Sequence, residues 1–439
     1  MSADATKRPL IYDLPVVSTE PLEGWTIRHL RELADVIGGA TPDTAKAEYW
    51  SPPEIPWATP TDITACEGVK ISSTERFISK LGLESCSAKV IPSNSCLMTS
   101  RATVGECRMN AVPMATNQGF ASLVPKEDTD PLFLFYLVTH IKPTVVRLAA
   151  GTTYAEVSRT EIRRIRCRVP PSPEQKEIAL MLGRSETAIA VMKSELAAAQ
   201  RLKTALMQQL FTRGIPGRHS DFKVMRTFRK ECEVPAAWDI LKIAEVISDI
   251  YRYPTYYDIE YKASGVPEVR GELLQDDGTI DDNPAMLRYV SEETAAQFPR
   301  VKLDVGDTVL SVRGTLGKVG VVQESLRGGV ITANLIRISP NRDKIIPEYL
   351  TKVFLNWWTQ RQIDARSGLT TIKTITAPEI ERILIPVPSR TEQVEVLRLI
   401  ASANALVRNL KAKLMAVQRL KTSLLQNLLT GKVRVKMEN

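Results

Sequence analysis

The chain has 439 residues, 44% hydrophobic and 25% charged, with 58 Lys plus Arg against 50 Asp plus Glu for a net charge of +8. These values suit a folded chain of two to four domains and exclude a disordered, collagen-like or disulfide-framework protein. The mild basic excess permits a polyanionic partner without requiring one, and three scattered histidines (His29, His140, His219) argue against a histidine-rich metal site.

Residues 1–20 form an N-terminal segment whose Met1-Ser-Ala-Asp-Ala-Thr-Lys-Arg start leads into no apolar stretch, so no signal peptide is expected. Residues 21–172 mix short β-type runs with loops. Ile55-Pro-Trp-Ala-Thr-Pro-Thr-Asp-Ile63 has prolines at the edges of an extended piece, and Ser95–Arg101 reads as a strand running into the turn Arg101-Ala-Thr-Val-Gly105. Pro131–Leu148 carries an apolar helical pattern. Pro170-Pro-Ser-Pro-Glu-Gln175 then announces a long helix over 173–213, with Ser172 as the cap and Pro173 at the first position. A connector (214–234), a second mixed segment (235–389), a second long helix (390–430, capped by Thr391) and a basic tail (431–439) follow.

The second half repeats the first. Gln200-Arg-Leu-Lys-Thr204 recurs as Gln418-Arg-Leu-Lys-Thr422, and Glu174-Gln175 as Glu392-Gln393, both at an offset of 218. Aligned at that offset, Val169–Thr212 and Val387–Thr430 share about 17 identities, more than composition supplies. Trp25 matches Trp238, Arg101-Ala-Thr-Val-Gly105 matches Arg313-Gly-Thr-Leu-Gly317, and Gly151-Thr-Thr matches the Gly368–Thr371 stretch. The helices are well matched and the parts between them are not.

Within the helices, apolar or small residues alternate at four and three through Ile178, Leu182, Ser185, Ile189, Met192, Leu196 and Ala199, and again through Val396, Ile400, Ala403, Val407, Leu410, Leu414 and Val417. That is a coiled-coil seam. It is expected to shift slightly and continue through Leu202 and Leu206, and through Leu420 and Leu424. Two helices with matching seams pack on each other, antiparallel if the copies relate by a pseudo-twofold. The fold expected is α+β, two mixed domains joined by two long antiparallel coiled-coil helices. The basic run of the second helix, connector and tail is either a solvated face or a contact with phosphates or an acidic partner.

The Arg-x-Thr-x-Gly turn has a conformational reading, glycines supplying positive φ. It has a functional one, Arg and Thr presented to nucleic acid. It is no phosphate loop, because Val312 and Val319 stand where glycine and a hydroxyl residue are needed. Asn283-Pro-Ala lacks the motif of amino-methyltransferases of DNA, and no hydrolase, zinc-protease or dinucleotide fingerprint is present. Six cysteines without a C-x-x-C pair read as reduced thiols, and no apolar run reaches the roughly 18 residues of a membrane span. A soluble, cytoplasmic protein is expected.

Pro21–Trp25, Ile55–Ile63, Ser100-Arg-Ala-Thr-Val-Gly, Thr116-Asn-Gln-Gly-Phe, the Gly306–Lys318 run and the Pro-x-x-x-Glu-Gln that introduces each helix, from Pro170 and Pro388, form an ordered set. It resembles the specificity subunit of type I restriction–modification systems over residues 20–430. The resemblance implies two target recognition domains, 21–172 and 235–389, each reading half of a bipartite target in double-stranded DNA. It implies spacer helices that set the distance between half-sites. Two modification subunits, which use S-adenosylmethionine to methylate adenine at N6, dock around the helices. Restriction subunits working with ATP and Mg can join, and this chain itself holds no cofactor, no metal and no catalytic residue. Candidate DNA contacts are Thr59, Thr61, Arg101, Thr103, Asn117, Gln118, Thr152 and Thr153 in the first half. Those in the second are Arg270, Arg313, Thr315, Lys318, Thr370, Thr371 and Lys373. The seam residues are candidates for the helix–helix and subunit interface. Two other readings are a solitary DNA-binding regulator and a fused restriction or methylation enzyme; the missing motifs argue against the latter.

Overall fold

The computed structural model describes residues 22–150, 155–227, 230–252, 259–297, 299–367 and 373–435. The chain divides into two compact units, Met1–Ser194 with Ala412–Asn439, and Glu195–Lys411, so each unit holds part of both long helices.

The first unit is built on a five-stranded sheet in the order Ala34–Gly38, Phe120–Pro125, Cys96–Thr99, Cys107–Asn110, Lys70–Ile71. A three-stranded sheet (Arg76–Ile78, Ile55–Ala58, Ala115–Thr116) lies beyond it, and Thr26–His29 pairs with Arg166–Val169. The apolar pattern from Pro131 forms two helices, Pro131–His140 and Lys142–Ala149, broken at Ile141, two residues before Pro143. Phe133, Leu134 and Tyr136 sit in one core with Ile178, Ala179 and Leu182 from the first long helix and Leu428 and Leu429 from the second.

The second unit has a four-stranded sheet in the order Ile247–Arg252, Leu335–Pro340, Thr308–Ser311, Val319–Val321. Beyond it is a mixed sheet of Tyr261–Lys262, Arg288–Val290, Val266–Val269 and Val330–Ile331, and Asp239–Lys242 pairs with Leu384–Val387. Its core takes Leu210 and Phe211 from the first long helix and Val396 and Ile400 from the second. In each unit, therefore, the start of one long helix shares a core with the end of the other. Antiparallel packing of the segments follows, and the Lys421–Glu186 ion pair bears it out in the first unit.

The long helices are Ser172–Thr212 and Arg390–Thr430, 41 residues each. The first lies one residue earlier than the expected 173–213, and the second has the expected bounds. The Ser389 hydroxyl, not Thr391, accepts from the Glu392 N–H, and Ser172 lies inside its helix rather than capping it. The seam also needs a correction. Ile178, Leu182, Ile189, Val396, Ile400 and Leu414 are buried, and Leu196, Leu206, Val407 and Leu424 are half-buried. Leu202 and Leu420 are instead 62% and 56% exposed. Four residues beyond Ala199 the stripe reaches Lys203, and the same step reaches Lys421. A leucine one residue short of the stripe is turned about 100° away from it.

The connector is more than a link. Phe222–Thr227 and Lys230–Pro235 form an antiparallel hairpin that buries Met225 and Val234 against Trp238 and Trp358. Arg226 pairs with Glu231 inside the hairpin, while Glu233 pairs with Arg213 before the connector and Arg218 with Glu395 of the second long helix. All six cysteines are free, and among the described residues no single helix is long and apolar enough to cross a membrane.

Candidate nucleic-acid interface

The same joint anchors each domain to its helix. The Trp25 indole N–H donates to Glu174 Oε2 at 3.0 Å, and the Trp238 indole N–H donates to Glu392 Oε2 at 3.0 Å. Both carboxylates are buried, so each needs these partners. The neighbouring glutamines act alike. Gln175 donates to the Pro170 carbonyl and accepts from the Asp130 N–H; Gln393 donates to the Pro388 carbonyl and accepts from the Ile346 N–H. Asp130 and Ile346 precede the helices that open Pro131–His140 and Pro347–Leu355. The Glu-Gln pair of the repeat thus ties three elements together in each unit.

The third partner differs. The Arg434 guanidinium, from the tail, grips Glu174 at 2.7 and 2.9 Å. His219 Nε2, from the connector, lies 2.8 Å from Glu392 Oε1. In both cases the segment that leaves one long helix folds onto the start of the other. Gly214 permits this at φ +74°, since a Cβ there would come within 2.7 Å of His219.

The two Arg-x-Thr-x-Gly turns share one frame. Gly105 and Gly317 donate to the carbonyls of Thr99 and Ser311 at 2.9 and 3.0 Å. The side-chain hydroxyls of Thr99 and Ser311 donate to the Thr103 and Thr315 carbonyls and accept from the Glu106 and Lys318 N–H groups. Gly105 and Gly317 take φ of +82° and +86°, and Gly314 takes +81°. Ala102 stands where Gly314 does, at φ +60°. The turn therefore supplies the positive φ expected of it, once through an alanine.

Charge separates the turns. Arg101 pairs with Glu156 at 2.7 Å and Lys142 pairs with Glu106. In the second unit the bridge partner of Arg313 is Thr374 where Arg101 has Glu156. Lys318 replaces Glu106, and Gln360 replaces Lys142 beside the turn glycine, donating to the Gly317 carbonyl. Among the described residues neither Arg313 nor Lys318 has a carboxylate partner, and Arg313 is exposed.

The other candidates divide. Thr61, Thr103, Thr315 and Gln118 are exposed, Gln118 meeting the Thr41 hydroxyl. Lys373 is exposed and 3.4 Å from Asp364. Thr59 is committed to a capping box with Asp62, Asn117 accepts from Gly119, and Arg270 is spent on Glu272 and the Met286 carbonyl. Thr152, Thr153, Thr370 and Thr371 lie outside the described residues. A cluster that the motifs did not flag is Glu268, which is 2% exposed on Val266–Val269. Burial pushes its carboxyl above the ordinary range, although the Tyr261 hydroxyl and the Arg270 and Arg288 charges oppose this.

Comparison with known proteins follows the same lines. Residues 22–201 match the family described as Type I restriction modification DNA specificity domain. The MjaIX type I restriction enzyme specificity subunit of Methanocaldococcus jannaschii is 27% identical over 51% of this chain and 51% of its own length. The EcoBI specificity subunit of Escherichia coli is 23% identical over 73% of this chain and 70% of its own length. The match thus spans about half of the first relative. In shape the chain resembles a protein from a structure of a type I R-M system, with a TM-score of 0.62 at 19% identity over 95% of this chain and 100% of that one. It also resembles the HsdS subunit of Thermoanaerobacter tengcongensis, with a TM-score of 0.51 at 20% identity over 93% of this chain and 97% of that one.

Proposed function

We propose that this chain is a member of the type I restriction–modification specificity family, whose domain model matches residues 22–201, and that it is the non-catalytic DNA-reading subunit of such a complex. Each unit reads one half of a bipartite target in double-stranded DNA. The observation that carries this is the duplicated turn. One hydroxyl-bridged frame presents an arginine and a threonine in both units while the charges around it diverge. A constant frame with variable tips suits two reading heads for two different sequences.

Methyl transfer is assigned to partner modification subunits carrying S-adenosylmethionine, and cleavage to restriction subunits using ATP and Mg. The repeated Gln-Arg-Leu-Lys-Thr stretches supply the docking surface. An identical five-residue stretch, with Leu202 or Leu420 exposed at its centre, occurs twice, which suits two copies of one partner. Leu202→Asp and Leu420→Asp should leave the melting temperature nearly unchanged, since both side chains are in water. Each should remove one modification subunit from the complex in analytical ultracentrifugation. Full occupancy in both variants would refute the docking surface. For the reading as a whole, long-read methylome mapping of cells expressing this chain with its modification subunit should show adenine methylation at one bipartite motif. Methyl transfer by the purified chain alone would overturn it.

A further inference from the structure

The three-stranded sheet of the first unit and the mixed sheet of the second share a register that the motifs did not reveal. Trp57 of Ile55–Ala58 stands opposite Arg76, and Glu268 of Val266–Val269 stands opposite Arg288. On the other side each central strand pairs in parallel with a short strand, Trp57 with Ala115 and Glu268 with Val330. Arg76 and Arg288 are therefore the same position in the two units, 212 residues apart like Arg101 and Arg313. The chain then proceeds identically, as Arg-Phe-Ile-Ser79 and Arg-Tyr-Val-Ser291, and both serines cap a short helix, accepting from Gly82 and Thr294.

Both guanidiniums are exposed and both lie over an aromatic ring. Arg76 is 3.8 Å from the centre of Trp50 and 5.1 Å from that of Trp57, and the two indoles are packed edge to face. Arg288 is 5.8 Å from the centre of Tyr261. Among the described residues neither forms an ion pair with a carboxylate. A ring under the plane of a guanidinium fixes its orientation and leaves the N–H groups at its edge for an acceptor.

We propose that Arg76 and Arg288 are equivalent anchors for DNA backbone phosphates, one for each half of the target. The proposal rests on the DNA-reading role above. Two lobes that read different sequences have no reason to keep the same base-reading residue, and their facing residues have indeed diverged, to Trp57 and Glu268. The phosphate is the part of DNA that is the same at every sequence, and phosphate contacts set register and orientation without specifying bases.

The test uses the full chain in complex with its modification subunits, titrated with a duplex carrying the mapped target across a range of salt. Arg76→Gln and Arg288→Gln should each weaken binding by roughly tenfold. Each should lower the slope of log affinity against log salt by about 0.9, and the double variant by about twice that. Preference among single-base variants of the target should not change. Arg76→Lys and Arg288→Lys, which keep the charge, should retain most of the slope, and melting curves confirm that every variant is folded. An unchanged salt slope in folded variants overturns the proposal, as does a changed preference at one base pair, which would make these residues base readers. If the wild-type complex shows no preference for the target, the DNA-reading role fails first and takes this inference with it.

Discussion

The two units hold their scaffolds in common and their charges apart. An indole donates to a buried glutamate at 3.0 Å in both, and both arginine turns are closed by the same hydroxyl bridge. Yet at the first turn Arg101 is paired with Glu156 and Glu106 with Lys142, while among the described residues Arg313 and Lys318 of the second have no carboxylate partner. Backbone frames depend on a few hydrogen bonds that cannot be changed singly without orphaning a partner. Exposed charges are nearly free to change, because surface pairs are worth about 0–1 kcal/mol. Duplication followed by divergence therefore preserves the former and redistributes the latter.

The most direct way to break the comparison is at the shared joint. Glu392→Ala leaves the Trp238 indole N–H buried without an acceptor and strips His219 of its partner. It should cost about 3 kcal/mol. Glu174→Ala should cost a similar amount, since it orphans Trp25 and Arg434 together. Chemical denaturation of both variants checks this. A loss confined to one of them would mean that the joints are alike in geometry only.

The turns should respond unequally. If the second turn meets DNA, Arg313→Ala costs about 1–3 kcal/mol of binding. Arg101→Ala should cost less and leave the salt dependence almost unchanged, because its charge is already paired with Glu156. Glu156→Thr, which gives the first turn the residue type of the second, should raise the salt slope. Binding titrations of the three variants decide; equal effects of the two arginine substitutions would remove the electrostatic distinction.

Backbone strain sharpens the comparison at smaller cost. Gly314 and Ala102 take the same left-handed conformation, and a Cβ at 314 would meet nothing within 4 Å. Gly314→Ala should therefore cost about 1 kcal/mol from conformation alone, and Ala102→Gly should relieve a comparable strain. Opposite shifts of melting temperature are expected.

What the sequence disclosed follows from the range of each interaction. The long helices and the seam up to Ala199 were legible because their periodicity is local and the repeat doubles the signal. The seam failed at Leu202 because a leucine beside the stripe looks apolar in either register, and only the lysine on the stripe reveals it. The connector hairpin was hidden by its arginines and lysines, which read as a charge run and proved to lie on a paired hairpin in which Arg226 faces Glu231. The roles of Arg434 and His219 were out of reach, since their glutamates lie 260 and 173 residues away. Arg76 and Arg288 were visible in principle. The offset of 212 that aligns the arginine turns extends back to them, but Phe77 against Tyr289 and Ile78 against Val290 blur the match.

The finest contrast between the units is Trp57 against Glu268, an aromatic and a carboxylic acid at one register position. Trp57 donates its indole N–H to the Ala40 carbonyl and needs nothing more. Glu268 is buried with Oε2 unpartnered among the described residues, and burial raises its pKa above the usual 4.5. A carboxyl raised in this way contributes stability that is fully present below the unfolded value and is lost as pH rises through the folded value. Gln cannot ionise, and its amide can still accept from the Tyr261 hydroxyl, which lies 3.4 Å from Oε1. Glu268→Gln should therefore match the wild type at low pH and melt at a higher temperature once the pH exceeds the folded pKa, by about 2 °C. Trp57→Phe in the first unit removes no ionisable group and should shift the melting temperature equally at both ends of the range. Melting curves of the two variants from pH 4 to pH 8 provide the measurement. A pH-independent offset for Glu268→Gln would show that the carboxylate is fully compensated by Arg270 and Arg288, and that the two positions differ in shape alone.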